Sequence, residues 1–473
     1  MTTAYDRVAY PSVVHEAVHP ERLEVLARLA GLDPVPVQRA RVLDIGGGSC
    51  FSLTAFAAQY PGADAHGFDL AERAIAHGKE LAGPECPNVH LVVEDITKAK
   101  ARYAARSFDY VIAHGVYAWV PDMVREALLE FVGHVLSERG VAFISFNAMP
   151  GCHVRLLLRE MLLYEIQGID DPETRIERAY AFLHDFADAG PEDEALTDPF
   201  MAGVRSHAAS MAKRSPSVVF HDELGEWFSP QSLSQVVRDA APHGLRWLTD
   251  AGRNRHFDGF LAIGQDPGDD VDETVLRSAQ SRDYLKMAFF RAPLFVRKEA
   301  PVDRHLDIGR IKDLWVSSDS GRTEGGDFRK DDDVFSIADQ GMAERLEALN
   351  LIWPDRRPVT EIAQSEDQLR ALMKMYEEWY VALHTGPAPF AAEPGDRPKL
   401  GAWIGGMLAR GELNIVTLAS QTLRIDQAEL RNLLMLADGT RTIEELVAAG
   451  HGMAPDQVPG AIAAAARRGF FVA

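Results

Sequence analysis

The residues of this chain best suited to chemistry sit at the ends of short apolar runs. In VLDIGGGSC an apolar run ends in Asp44 and passes through Gly46, Gly47 and Gly48 into a helical pattern. A glycine turn at the carboxyl end of a first strand lets the backbone come close to a ligand. AHGFDL then ends in Asp69 and Leu70, with Asp69 lying 25 residues after Asp44. A carboxylate in that place accepts both hydroxyls of a ribose, and the spacing is near the ~20 residues expected between a glycine turn and a ribose acid. The next run, VVEDI, ends in Asp95, where a carboxylate takes a hydrogen bond from an adenine amino group while Ile96 packs on the ring. One glycine turn alone reads equally well as an ordinary strand-to-helix connection. Three acids on successive strand ends imply a nucleotide-like ligand.

These acids need a framework of alternating strands and helices. ARVLDIG (40–46), AHGFDL (65–70), VHLVVEDI (89–96), FDYVIAHG (108–115) and GVAFISFN (140–147) read as strands. SLTAFAAQY (52–60), AERAIAHGKELA (71–82) and VREALLEFVGHVLSERG (124–140) carry apolar residues at helical spacing. The first half is therefore expected to be α/β, a Rossmann-like doubly wound sheet. HPERLEVLARLAGL (19–32) reads as an amphipathic helix that packs on the sheet edge or covers its crevice. From Arg155 to about Phe257 the pattern is mostly helical, with RLLLREMLLYEI and ELGEWFSPQSLSQVVRDAAPHGL as its clearest helices. Polar stretches at 264–273 and 385–398 read as boundaries, and small α+β patterns of winged-helix-like character lie between and after them.

The length of 473 residues suits about three domains, and 47% hydrophobic with 25% charged residues excludes disorder along most of the chain. A formal net charge of -21 disfavours nucleic acid and favours a cationic partner. Cys50, Cys86 and Cys152 lack the paired spacings of a zinc site or disulfide framework, so no metal site and a cytoplasmic location are expected. The N-terminal stretch lacks a signal-peptide pattern, and no run of about 18 apolar residues occurs, so no membrane insertion is expected.

On these residues the chain resembles the class I S-adenosylmethionine-dependent methyltransferases. Their pattern, an acid followed by x-Gly-x-Gly-x-Gly, falls on Asp44, Gly46 and Gly48, with Cys50 at the last glycine position. YDRVAYP, HPERL, IAHGVYAWVPDMVREALL and FISFNAMPGCHVR resemble a narrower group that carries a methyltransferase regulatory domain. That group includes protein-lysine methyltransferases of bacterial outer-membrane proteins. VVFHDELGEWFSPQSLSQVVRDAAPHGLRWL is similar to its regulatory segment and LLMLADGTRTIEELV to its C-terminal module. The resemblance implies a methyltransferase domain with an N-terminal lid over 1–155 and a helical regulatory domain over 156–264. An α+β module over 275–385 and a winged-helix-like module over 398–473 would follow. It implies S-adenosyl-L-methionine as cofactor and, as acceptor, a lysine-bearing protein or peptide first. A small molecule or modified peptide of a biosynthetic pathway is the alternative, and a non-catalytic binding protein with a degenerate glycine turn the second. A homodimer is left open.

Methyltransferases of planar amides and base amines often end their fourth strand in Asn-Pro-Pro-aromatic. Here the place reads His114-Gly115-Val116-Tyr117-Ala118-Trp119, which disfavours that chemistry. Methyl transfer needs an in-line nucleophile about 3–3.5 Å from the methyl carbon, and an aliphatic amine must first lose its proton. Tyr117 or His114 is expected to orient or accept that proton, and Tyr117 and Trp119 to offer aromatic faces to a cationic side chain. The competing reading is a core role for Trp119 and a satisfied strand-end histidine for His114. Asn147 and His153 flank a Met149-Pro150-Gly151 turn and are candidates for substrate contact. Tyr5 and Tyr10 are candidates for closing over the cofactor. His221-Asp222-Glu223 reads as a helix cap rather than a metal cluster.

Overall fold

The computed structural model describes residues 7–8, 12–189, 198–262 and 264–472. Its first helix, α1 (Pro20–Leu29), precedes a regular alternation of strands and helices. The run is β1 (Arg41–Ile45), α2 (Phe51–Gln59), β2 (Asp64–Asp69), α3 (Glu72–Ala82), β3 (Val89–Val93), α4 (Ile96–Ala99), β4 (Phe108–Ala113), α5 (Asp122–Val135) and β5 (Leu136–Ile144). Neighbouring side chains on a strand point to opposite faces, and β1 shows it. Val42 belongs to the same buried cluster as Leu23 and Leu26 of α1, whereas Leu43 belongs to the one that holds Leu128 and Phe131 of α5. Helices therefore cover both faces, as expected for a doubly wound sheet.

The chain then turns helical through α6 (His153–Glu165), α7 (Pro172–Asp188), α8 (Pro199–Met211) and α9 (Leu233–Ala240), before β6 (Leu245–Asp250), α10 (Val271–Lys286) and β7 (Pro293–Arg297). The seven-stranded sheet has the order β3-β2-β1-β4-β5-β7-β6. Pairings among β1 to β5 are parallel, and β7 is antiparallel to both β5 and β6. The sheet therefore draws strands from beyond residue 155. It is completed by strands from 245–250 and 293–297, which follow the helical stretch. α6, α7 and α8 form a helical cluster of their own around Leu158, Leu183 and Val204.

Two helix expectations are corrected. The helix expected over 124–140 stops at Val135, because Leu136 pairs with Phe108 and enters β5. Of the long helix expected around 223–245, only Leu233–Ala240 is regular, opened by Ser232 accepting the Gln235 N–H just after Pro230. Beyond the sheet, small antiparallel sheets and helices fill 308–384, and a hairpin (Asn414–Val416 with Thr422–Arg424) lies among four helices near the C-terminus. Two buried contacts tie these parts to the sheet. Arg356 grips Glu21 of α1 with both terminal nitrogens, at 2.8 and 3.0 Å. Burial alone would raise the Glu21 carboxyl, but the guanidinium outweighs it and holds the group well below the usual carboxylate range. The Trp403 indole N–H donates to the Leu81 carbonyl of α3 at 2.8 Å. Among the described residues no helix is long and apolar enough to cross a membrane.

Candidate active site

The glycine turn joins β1 to α2, and each of its residues has a steric reason. Gly46 and Gly48 have φ of +65° and +59°, a region that L side chains avoid. A Cβ on Gly47 would lie 2.2 Å from Asp44 Oδ2, so the carboxylate rests directly on the turn. A Cβ on Gly48 would meet nothing within 4 Å, so this residue faces open space. Asp69 holds the turn in that shape. Its Oδ2 accepts the Gly48 N–H and its Oδ1 the Ala71 N–H, both at 2.8 Å. In register, Asp44 stands opposite Gly67 and Asp69 opposite Val93. The three acids thus converge on one end of the sheet.

Cys50 is fully buried with φ of 52°. Its Sγ points at β2, where a Cβ on Gly67 would come within 2.6 Å of it. The cysteine does not widen the turn toward the ligand side, since Gly67 on the next strand supplies the room. Asp44 is buried as well, and its carboxyl is pushed up to about 7 by burial and then by the Asp69 charge, partly offset by a hydrogen bond from the Cys50 thiol. Asp95 Oδ1 caps α4 through the Thr97 N–H and hydroxyl at 2.9 and 2.8 Å. Leu70 is 51% exposed at the rim, and Ile96 is half-buried against the core beneath.

The N-terminal segment lies over the turn. Ser12 Oγ is 2.9 Å from Ser49 Oγ, and the His15 N–H donates to Ser52 Oγ at 3.2 Å. A narrow gap beside Asp44 is walled by Val14, His15, Val18, Phe56 and Ile112. Residues 12–18 thus border the glycine turn, whereas Tyr5 and Tyr10 lie outside the described residues.

Beside His15, His114 follows the end of β4. Its Nδ1 is 2.9 Å from Ser145 Oγ, which also accepts the Gly115 N–H at 3.1 Å. Its ring lies 4.5 Å from that of His15 and 6.2 Å from that of Phe290. Burial, then the His15 charge, pulls the imidazole down to about 4, so it is neutral near pH 7. Asn147 is 8% exposed and pairs through its backbone with Phe290, while its amide has no hydrogen-bond partner among the described residues. His153 is exposed at the start of α6.

Two expected residues are not brought into the crevice in the expected way. Tyr117 is buried in the core with its ring against Phe146, and the charges that act on its hydroxyl, Asp239, Arg125, Glu126 and Asp122, belong to α5 and α9. Trp119 already packs on Phe228 at 4.6 Å, with the Arg155 and Arg159 guanidinium groups over its ring at 5.1 and 5.8 Å. Its aromatic face holds the chain's own cations. His221-Asp222-Glu223 forms no helix cap. It lies in a π-helical turn where buried Glu223 pairs with Arg155 at 2.8 Å and with Arg214. Ser145, His15 and Phe290 were not singled out from sequence; Phe290 arrives from 143 residues beyond Asn147, where no local signal marks it.

Comparison with known proteins identifies the family. A family model described as "Methyltransferase domain" matches residues 42–140, and one described as "Predicted methyltransferase regulatory domain" matches residues 215–297. An uncharacterized protein of Rickettsia prowazekii is 32% identical over 246 residues, which make up 52% of this chain and 96% of that protein. The chain belongs to the S-adenosylmethionine-dependent methyltransferases with a methyltransferase regulatory domain. A second uncharacterized protein of the same organism is 26% identical over 317 residues, where this methyltransferase spans 55% of the relative's length. PKMT2 from Rickettsia typhi, in two structures of which one is in complex with AdoHcy, aligns at 20% identity with TM-scores of 0.77 and 0.76. Those alignments cover 98% of this methyltransferase and 99% of PKMT2, and establish a shared fold.

The residues present fit the methyl donor that this family uses, because the open space beside Gly48 is where a backbone can meet a ligand without a side chain between them. The inward-pointing Cys50 gives a test of the turn. Cys50→Gly is expected to leave S-adenosylmethionine affinity unchanged, since relief of about 1 kcal/mol of left-handed strain offsets the lost packing. Cys50→Leu overfills the space against Gly67 and is expected to cost about 1–3 kcal/mol of stability. Calorimetric titration and thermal denaturation measure the two effects.

Proposed function

We propose that this methyltransferase N-methylates lysine side chains of a protein or peptide. The observation that carries the reading is the likeness to PKMT2 along the whole of both chains, including the helical and C-terminal parts that surround the crevice; the name denotes a protein-lysine methyltransferase. The net charge of -21 supports it, since an acidic surface draws lysine-rich segments.

In this reading Gly46 and Gly48 line the cofactor, Asp69 takes the ribose hydroxyls, and Asp95, Ile96 and Leu70 border the adenine. Asp44, as carboxylate, would offset the positive charge of a bound cofactor. The bound cofactor supplies an electrophilic methyl group on a sulfonium. A neutral amine would take that methyl group as the sulfonium became a neutral thioether, and the amine's excess proton would pass to solvent. His114 is too weak a base to take a proton from an ammonium of pKa about 10.4. Its neutral ring instead accepts a hydrogen bond from the amine through Nε2 in the tautomer that donates Nδ1–H to Ser145, and adds no charge that would repel an incoming lysine. Asn147 offers its unpartnered amide beside it.

Incubation with methyl-deuterated S-adenosylmethionine and lysine-rich proteins, followed by mass spectrometry, tests the proposal. Labelled methyl groups on lysine nitrogen are expected; transfer confined to small molecules or to other side chains would overturn it. The pH dependence gives a second check. Because Asp44 has its carboxyl raised to about 7, ionising it for the cofactor's cation costs free energy below that pH. Cofactor affinity is expected to rise by up to about tenfold per pH unit below 7 and to level off above it. Titration calorimetry on both sides of pH 7 reads this directly.

A further inference from the structure

At the end of the sheet remote from the crevice, a second group of side chains converges. Asp64 and His66 lie on β2, two residues apart and thus on the same face, and His90 on β3 stands directly opposite His66 in register. Asp64 Oδ1 is 2.8 Å from His66 Nε2 and 3.3 Å from His90 Nε2. All three potential donor atoms lie within 4.8 Å of one another, and the two imidazole rings sit 4.8 Å apart. Donors bound tetrahedrally at about 2.0–2.1 Å are separated by about 3.3–3.4 Å, so this cluster is close to the edge lengths of a coordination polyhedron.

The surroundings complete the case. Arg41 Nε holds the other carboxylate oxygen, Oδ2, at 3.2 Å, and stacks its guanidinium on Phe108 at 4.9 Å. That contact orients Asp64 with Oδ1 toward the histidines, as an outer-shell partner does for a ligating carboxylate. Phe108 also packs edge-on against His66 at 5.3 Å. All three side chains retain access to solvent, which leaves coordination positions for water.

We propose that Asp64, His66 and His90 bind a divalent transition metal, Zn2+ or a metal of similar preference, through two imidazoles and one carboxylate with at least one position open. Five residues of extended β2, or about 16 Å, separate the site from Asp69. It therefore braces the edge pair β2 and β3 from the end opposite the cofactor, and takes no part in methyl transfer.

The test uses the full chain, freed of metal with a chelator and dialysed. Zn2+ titration is followed by calorimetry, and Co2+ titration by visible absorption, which reports the ligand field. The expected result is one equivalent bound at the site with a nitrogen-and-oxygen Co2+ spectrum and a rise in thermal midpoint. His66→Ala, and the milder His90→Gln and Asp64→Asn at half-exposed positions, should each weaken binding by more than about tenfold. Equal Zn2+ affinity in wild type and in all three variants would overturn the proposal, as would absence of Co2+ bands in the wild type.

Discussion

Asp69→Ala is expected to weaken S-adenosylmethionine binding by about a hundredfold or more. The carboxylate does two things at once. It accepts the Gly48 and Ala71 N–H groups, each at 2.8 Å, and so holds the glycine turn in the shape that leaves open space beside Gly48. In the proposed complex it also receives ribose hydroxyls. Hydrogen bonds to a charged group contribute about 1.5–3 kcal/mol each, and about 2.8 kcal/mol is a hundredfold in affinity. Asp69→Asn keeps one acceptor oxygen and should fall between. Titration calorimetry measures both, with thermal midpoints to show that the sheet is intact. An unchanged dissociation constant for the alanine variant would remove Asp69 from the site.

The second large effect concerns stability. Arg291 is fully buried, with Nη1 at 3.1 Å from Asp250 and 2.6 Å from Asp258, and Nε at 3.0 Å from Asp283. Its guanidinium joins the end of β6, the following loop and α10. Arg255 and Arg282 approach Asp283 and Asp258 from outside, at 2.7 and 2.9 Å. Arg291→Met removes the central cation and leaves carboxylates buried without it, which typically costs about 3–5 kcal/mol. Urea denaturation should show a lower midpoint. The sign of its pH dependence follows from the freed carboxylates. Burial already raises the Asp258 carboxyl and the Arg291 charge holds it down, so without the arginine it rises further, the folded variant binds more protons, and the deficit is largest at neutral pH and shrinks as pH falls toward the carboxylate range. A deficit independent of pH would show that lost packing, and not unpaired charge, is responsible. Methyl transfer should fall too, because the adjacent Phe290 pairs with Asn147 and packs on His114.

The cofactor side of the site was legible because its signals are local. Asp44, Asp69 and Asp95 each end an apolar run of strand length, and consecutive parallel strands bring such ends together. Even so, the purpose of Cys50 was hidden, since the space for its Sγ is made by Gly67 on another strand. The acceptor side was legible only in part. His114 and Asn147 stand at the crevice, but Tyr117 and Trp119, three and five residues past His114, face elsewhere. A three-residue helical turn carries Tyr117 toward α5, and Trp119 toward arginines 36 and 40 residues further along the chain.

Sequence by itself determined the order of strands and helices in the first 150 residues, the acid-and-glycine pattern and the family, all of which rest on periodicity and short-range spacing. Tertiary structure alone decided that residues 245–250 and 293–297 complete the sheet, that Phe290 meets Asn147, and that Arg291 sits among three aspartates. It also decided the Asp64, His66 and His90 cluster, because the register between β2 and β3 sets which side chains face one another. The physical reason is the same in each case. A strand's partners and a buried charge's counterions are chosen by packing across long stretches of chain, where the energy of a contact depends on distance in space and leaves no mark on the residues next to it in sequence.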